Sequence, residues 1–167
     1  MPFTSFPASG ARFRGRTLWD LFAEVQSIAG IKTIDQNVGP SNNTLQDVDE
    51  ALVSVEAEKL YEFDLIFQYN SGATPDIKFA FTYPTGLTMD YAAWVFGSTG
   101  TWVATRNTQT AVFSPGGGTN FTALLHGIIQ AGSESGVLQL QAAQNTSDPG
   151  NSLVEAGTMW RLARIDP

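Results

Sequence analysis

The chain has no cysteine and one histidine, His126. Those two residue types supply most general bases, activated nucleophiles and soft metal ligands near neutral pH, so catalytic chemistry would have to run through His126 or through carboxylates. A Ser–His–Asp arrangement would need His126 as its base, and no Gly-x-Ser-x-Gly elbow is there to present a serine. Thiolate zinc sites, disulfide frameworks and redox motifs are excluded outright, and a zinc site built on one histidine would have to complete its ligands with carboxylates. His126 lies within an apolar run, which reads as a packed histidine or one at a subunit seam.

The carboxylates offer two groupings. Asp47, Asp49 and Glu50 are dense enough for calcium but lack the alternating spacing and the glycine of an EF-hand loop, so they read as a solvated acidic turn. Glu62 and Asp64 project to one side of an alternating segment, as the acid pair of a glycosidase might be placed, although alternation on a wet strand face accounts for them too. Ser114-Pro115-Gly116-Gly117-Gly118-Thr119 is glycine-rich without a Gly-Lys-Ser/Thr or a following helix, which makes it an inter-strand loop and not a phosphate cradle. Trp94 and Trp102 flank Gly97-Ser98-Thr99-Gly100 and are the candidate ligand residues, because paired tryptophans beside a loop can stack on a sugar; core packing is the alternative. Arg12, Arg14 and Arg16 alternate in an arm that fits either nucleic acid or an acidic protein neighbour, and the acidic body favours the protein. No catalytic, cofactor-binding or metal-binding residue is assigned. The expectation is a non-enzymatic protein with no cofactor, no nucleic-acid partner and no membrane partner.

The elements that position these residues follow from composition and period. In 167 residues, 16 acidic side chains stand against 9 basic ones, a formal charge of −7, and only 15% of residues are charged, where about 25% is usual. Thr, Ser, Asn and Gln take their place, a surface suited to β-structure. The charge is uneven: Arg12, Arg14, Arg16 and Lys32 make the first 32 residues basic, while the acids concentrate between Asp35 and Asp76. No apolar run approaches the roughly 20 residues of a membrane helix, and the start lacks the layout of a signal peptide.

Leu18, Leu21, Phe22, Val25 and Ile28 recur at spacings of three and four, Thr17 and Asp20 resemble a capping box and Gly30 supplies a stop, so a short amphipathic helix is expected over 17–29. From residue 32 the period becomes two. Tyr61, Phe63, Leu65, Phe67 and Tyr69 alternate with polar residues, Ile77, Phe79, Phe81 and Tyr83 repeat the pattern, and the turn chemistry between them reads as a hairpin. Further strands are expected at 31–38, 43–47, 50–56, 88–96, 101–105, 109–114, 119–131, 136–143 and 157–165. So many short strands with Gly/Pro punctuation predict an all-β antiparallel jelly-roll sandwich carrying an N-terminal arm and that one helix. The organisation is 1–30 as arm and attachment element and 31–167 as the β domain. The strand around His126 is apolar on both faces, with Leu124 and Ile128 beside the histidine and Phe121, Ala123, Leu125 and Ile129 opposite. A sandwich strand with no wet face is expected to be covered by another subunit, and Gly127 at its middle allows a close backbone approach.

The order of motifs resembles a known group. It runs from Gly10-Ala11-Arg12-Phe13-Arg14-Gly15-Arg16-Thr17-Leu18 through Lys32-Thr33-Ile34-Asp35-Gln36-Asn37-Val38 and Tyr61-Glu62-Phe63 to Gly136-Val137-Leu138-Gln139-Leu140-Gln141-Ala142-Ala143-Gln144-Asn145-Thr146-Ser147 and Ala156-Gly157-Thr158-Met159-Trp160-Arg161-Leu162. This is similar to small structural proteins of tailed bacteriophages and prophages, described as minor tail, fibre or head-decoration proteins. The resemblance implies a jelly roll like the tumour-necrosis-factor-like trimers, displayed on the virion. It further implies a homotrimer with a seam among Tyr61, Phe63, Phe121, Leu125 and Trp160. Arg12, Arg14, Arg16, Leu18, Leu21, Phe22 and Val25 would hold the chain to major capsid or tail proteins, and a host-surface glycan is the alternative partner.

Overall fold

The structure, a computed structural model, describes residues 27–72, 74–96, 102–115 and 118–165. The period-two segments pair as one long antiparallel hairpin. β1 (Ser27–Ile31) pairs with β11 (Met159–Arg164), β2 (Gln36–Asn37) with β10 (Ser152–Val154), β3 (Gln46–Val55) with β9 (Gly136–Gln144), and β4 (Leu60–Ser71) with β8 (Gly118–Gln130). β5 (Ile77–Thr82) continues the series through a bridge from Phe79 to Phe113. Beyond it, β6 (Thr88–Phe96) and β7 (Trp102–Thr108) form the tip. Rolling this ribbon brings β4 beside β10 and β11, and β5 beside β9. Two layers result: a large sheet ordered β1-β11-β4-β8-β6-β7, with β2 and β10 at its side, and a small sheet ordered β3-β9-β5. A hairpin ribbon coiled into two facing sheets is a jelly roll.

Alternation decides which side chains lie between the layers. Tyr61, Phe63, Leu65, Phe67 and Tyr69 of β4 are buried while the residues between them are half-exposed. They meet Ile77, Phe79 and Phe81 of β5 and Leu138 and Leu140 of β9, all buried in one cluster. Phe63 and Phe81 meet edge to face at 5.8 Å, and Phe67 and Phe79 lie 5.0 Å apart. Each such side chain contributes about 1.5–3 kcal/mol by leaving water, so the core sustains a domain this size without disulfides. In β3 the phase of burial slips at Asp49-Glu50, where the ladder to β9 shifts register and Glu50 takes a φ of 63°. That bulge joins into one strand what alternation alone reads as strands at 43–47 and 50–56.

Two expectations are corrected. The helix over 17–29 does not extend to its expected end: Ser27–Ile31 is a strand, with Ile28 opposite Leu162 and Gly30 opposite Trp160, and no helix occurs among the described residues. Gly30 is no helix stop. A Cβ there would stand 2.3 Å from the Trp160 ring, so the glycine makes room for the tryptophan. Residues 17–26 lie outside the described residues, as do the expected attachment residues Arg12, Arg14, Arg16, Leu18, Leu21, Phe22 and Val25. The β4–β5 hairpin is also absent: the two strands belong to different sheets, so their aromatic faces oppose each other across the core instead of lying side by side.

Candidate functional site

The outer face of the large sheet carries the chemistry, and the register of five strands arranges it in rows. Ile31 of β1, Met159 of β11, Ile66 of β4, Leu124 of β8 and Trp94 of β6 stand opposite one another in succession. Their exposure is partial or high, 56% for Ile31 and 42% for Met159. An apolar row across a whole sheet on its solvent side is unusual, because the outward positions of an antiparallel sandwich are ordinarily polar. A groove of about 480 Å³ runs over this row, lined by Ile66, Leu124, Trp94, Met159 and the polar residues of the next row.

That next row is Arg161, Asp64 and His126, in register across β11, β4 and β8. Arg161 donates to Asp64 Oδ2 from Nε at 3.0 Å and from a terminal nitrogen at 2.6 Å, and His126 Nδ1 lies 2.8 Å from Asp64 Oδ1. Glu62, two residues along β4, lies 4.0 Å from both His126 Nδ1 and Arg161. Partial burial pushes the Asp64 carboxyl up, but the hydrogen bonds from His126 and Arg161 outweigh it and hold it below its ordinary value. On β6 and β7 the neighbouring charges, Asp90 and Arg106, close on each other through a two-point ion pair.

Histidine oriented by aspartate resembles half of a hydrolytic triad, but a triad also needs a nucleophile bonded to the other ring nitrogen, and the row opposite His126 offers only Ala92. Glu62, Asp64 and His126 are close enough to share a metal ion. The Arg161 guanidinium already supplies the positive charge that Asp64 answers, so the polar row is complete as an ion-pair network.

The calcium reading fares no better. Glu50 accepts from Thr33 N at 2.6 Å and Thr33 Oγ1 at 2.8 Å, Asp47 accepts from Gln141 at 2.8 Å, and the buried Lys32 ammonium donates to the Asp49 carbonyl at 3.1 Å. The three acids therefore serve separate local bonds. Ser114 is likewise committed, donating to Asp76 at 2.8 Å and to the Ile77 carbonyl at 3.0 Å. Trp94 stands in the apolar row, whereas Trp102 pairs in register with Phe96 and its side chain lies outside the description.

The expected seam residues are relocated. Tyr61, Phe63 and Leu125 are 3%, 2% and 2% exposed and belong to the chain's own core, Phe121 stacks on Tyr69 at 6.0 Å, and Trp160 packs partly buried against the core while its ring donates to the Glu50 carbonyl. Spent inside the sandwich, Tyr61, Phe63 and Leu125 have no surface for a neighbour; the open apolar residues of β4 and β8 are those of opposite parity. Ile66 and Met159 had no signal of their own, since one apolar residue at a polar position is ordinary. Only the cross-strand register joins them to Leu124 and Trp94.

No family model matches the chain, and no curated protein matches it. Among solved structures, the tripod from the baseplate of bacteriophage Tuc2009 aligns at 14% identity and a TM-score of 0.34, over 99% of this chain and 76% of that one. Infectious bursal disease virus of the Gt strain aligns at 10% identity and a TM-score of 0.22, over 85% of this chain and 38% of that one. The Gx strain aligns at 11% and 0.21, over 84% and 39%. This chain thus spans well under half the length of those two, and overlaps this loose say nothing of function.

The Asp64 network has a testable acid signature. A carboxyl held below its ordinary value contributes stability that is present above the unfolded value, near pH 4, and is lost as the pH falls through the lowered folded value. Asp64→Asn should therefore melt a few degrees below wild type at neutral pH. The gap should close in strong acid, and a gap that stays constant down to pH 2 would show that the ion pairs contribute nothing.

Proposed function

We propose that this chain is a non-enzymatic structural protein of a tailed-phage virion, a homotrimeric β knob whose copies meet through the outer face of the large sheet. The observation that carries this reading is the apolar row from Ile31 to Trp94, which no described part of the chain covers. Charges of both signs border that row, Arg161 and Arg106 with Glu62, Asp64 and Asp90, so a second copy of the same face can answer each with its opposite. The motif order of the sequence, with its resemblance to phage structural proteins, supplies the virion setting. The basic arm within residues 1–30 is then the attachment element, holding the knob to major capsid or tail proteins.

A glycan-binding knob on a tail fibre is the second reading, favoured by Trp94 at the groove. It requires that tryptophan to face solvent in the assembled particle, whereas the seam buries it.

Complementation of particles that lack the protein tests both. Wild-type protein should incorporate at saturable copy number in threes, and a chain lacking residues 1–26 should fold, associate and stay off the particle. Incorporation of the truncated chain would remove the arm's role. If Trp94→Ala left assembly intact but abolished adhesion to host cell walls, the glycan reading would replace the seam.

A further inference from the structure

The row of charges beside the apolar seam makes association sensitive to protons. This rests on the proposed contact through the large sheet. Arg161 contributes one positive formal charge to the row, and Glu62 and Asp64 contribute two negative ones, leaving one negative charge in surplus on each copy. The groups facing His126 are Asp64 and Glu62 on β4, with Arg161 behind them on β11 and Ala92 on β6; Asp90 of β6 is closed by Arg106 of β7. His126 has one ring nitrogen on Asp64 and a side chain 49% exposed, so its other nitrogen is open to solvent in the free chain.

Covering this face with a second copy removes the row from water, and an unbalanced charge taken out of water is costly whereas a balanced, hydrogen-bonded set is much less so. Histidine is the side chain that ordinarily gains its charge between pH 8 and pH 5. We infer that His126 is the proton acceptor that balances the Glu62–Asp64–Arg161 row when copies associate, so that mildly acidic solution tightens the assembly. Protonation adds a positive charge between two carboxylates and brings the formal sum of the row to zero. Asp64 keeps its charge throughout that range, because its neighbours hold it below the usual carboxylate value.

The test is subunit exchange between differently labelled copies, followed from pH 8 to pH 5, which reads even assemblies too tight to dissociate on dilution. Exchange should slow as the pH falls, and the dissociation constant should drop by up to about tenfold per pH unit for each proton taken up. His126→Gln should flatten that dependence, and Glu62→Gln, which removes the surplus charge, should give tight association already at pH 8. An exchange rate indifferent to pH, or a slope that survives His126→Gln, overturns the inference while leaving the seam in place. If Leu124→Arg, in the neighbouring apolar row, exchanges as wild type does, the seam itself is misplaced and the proton coupling falls with it.

Discussion

Gly127→Ala should be among the most damaging single substitutions in the described part of the chain. Gly127 stands at the middle of β8 opposite Tyr91 of β6 and Phe63 of β4. A Cβ there would lie 2.2 Å from the Asp90 carbonyl oxygen and 2.6 Å from both Cα and Cβ of Tyr91. Backbone on a paired strand cannot rotate away as a side-chain tip can, so one methyl group forces β6 and β8 apart. That seam holds the β6–β7 hairpin on the sheet and keeps Tyr91, 1% exposed, inside the core. Overpacking ordinarily costs about 1–3 kcal/mol, and a site bounded by backbone belongs at the upper end or beyond. With about 2–4 °C lost per kcal/mol in a domain of this size, the thermal midpoint should fall by roughly 10 °C, or the protein should fail to accumulate folded. Thermal melts followed by circular dichroism decide it. A midpoint equal to wild type would mean that the two strands are not in contact as described.

Gly127 also shows how far the residues could be read before the fold was known. A glycine inside an alternating apolar strand signals close approach whatever lies opposite, and the approach is there. Alternation in β4 and β5 likewise identifies their buried aromatic faces, because the pleat imposes it locally. Partnership is not local. Turn chemistry between Ser71 and Ile77 suits a hairpin and suits equally a crossing between sheets, and only the fit of Phe63 on Phe81 and Phe67 on Phe79 decides for the crossing. Helical spacing into Ile28 lost to a ladder with β11 that begins more than a hundred residues away in sequence. The candidate site follows the same rule. Two apolar faces on β8 announced that something covers it, but Glu62, Asp64 and His126, each explicable alone, become one network only through the register of β4 with β8.

The second large effect concerns the seam and separates it from the core. Leu124→Arg should leave a folded chain that no longer associates. Leu124 sits at the centre of the apolar row, between Ile66 and Trp94, half-buried on the outer face of the sheet and outside the sandwich interior. In a free chain the longer side chain can lie along the sheet with its guanidinium in water, so the melting point should move little. Between copies the same guanidinium would be enclosed without a partner, a penalty of about 3–5 kcal/mol, which weakens association by roughly two to three and a half orders of magnitude. Sedimentation at micromolar concentration should then give the mass of one chain, 18.0 kDa, where wild type gives a multiple of it. Phe63→Ala is the informative contrast, since Phe63 is 2% exposed and faces the opposite way on β4. It should cost about 3–5 kcal/mol of folding stability, with any loss of association only following the loss of fold. If the two variants exchanged phenotypes, the copies would meet through the aromatic core residues after all and the outer row would be ordinary surface.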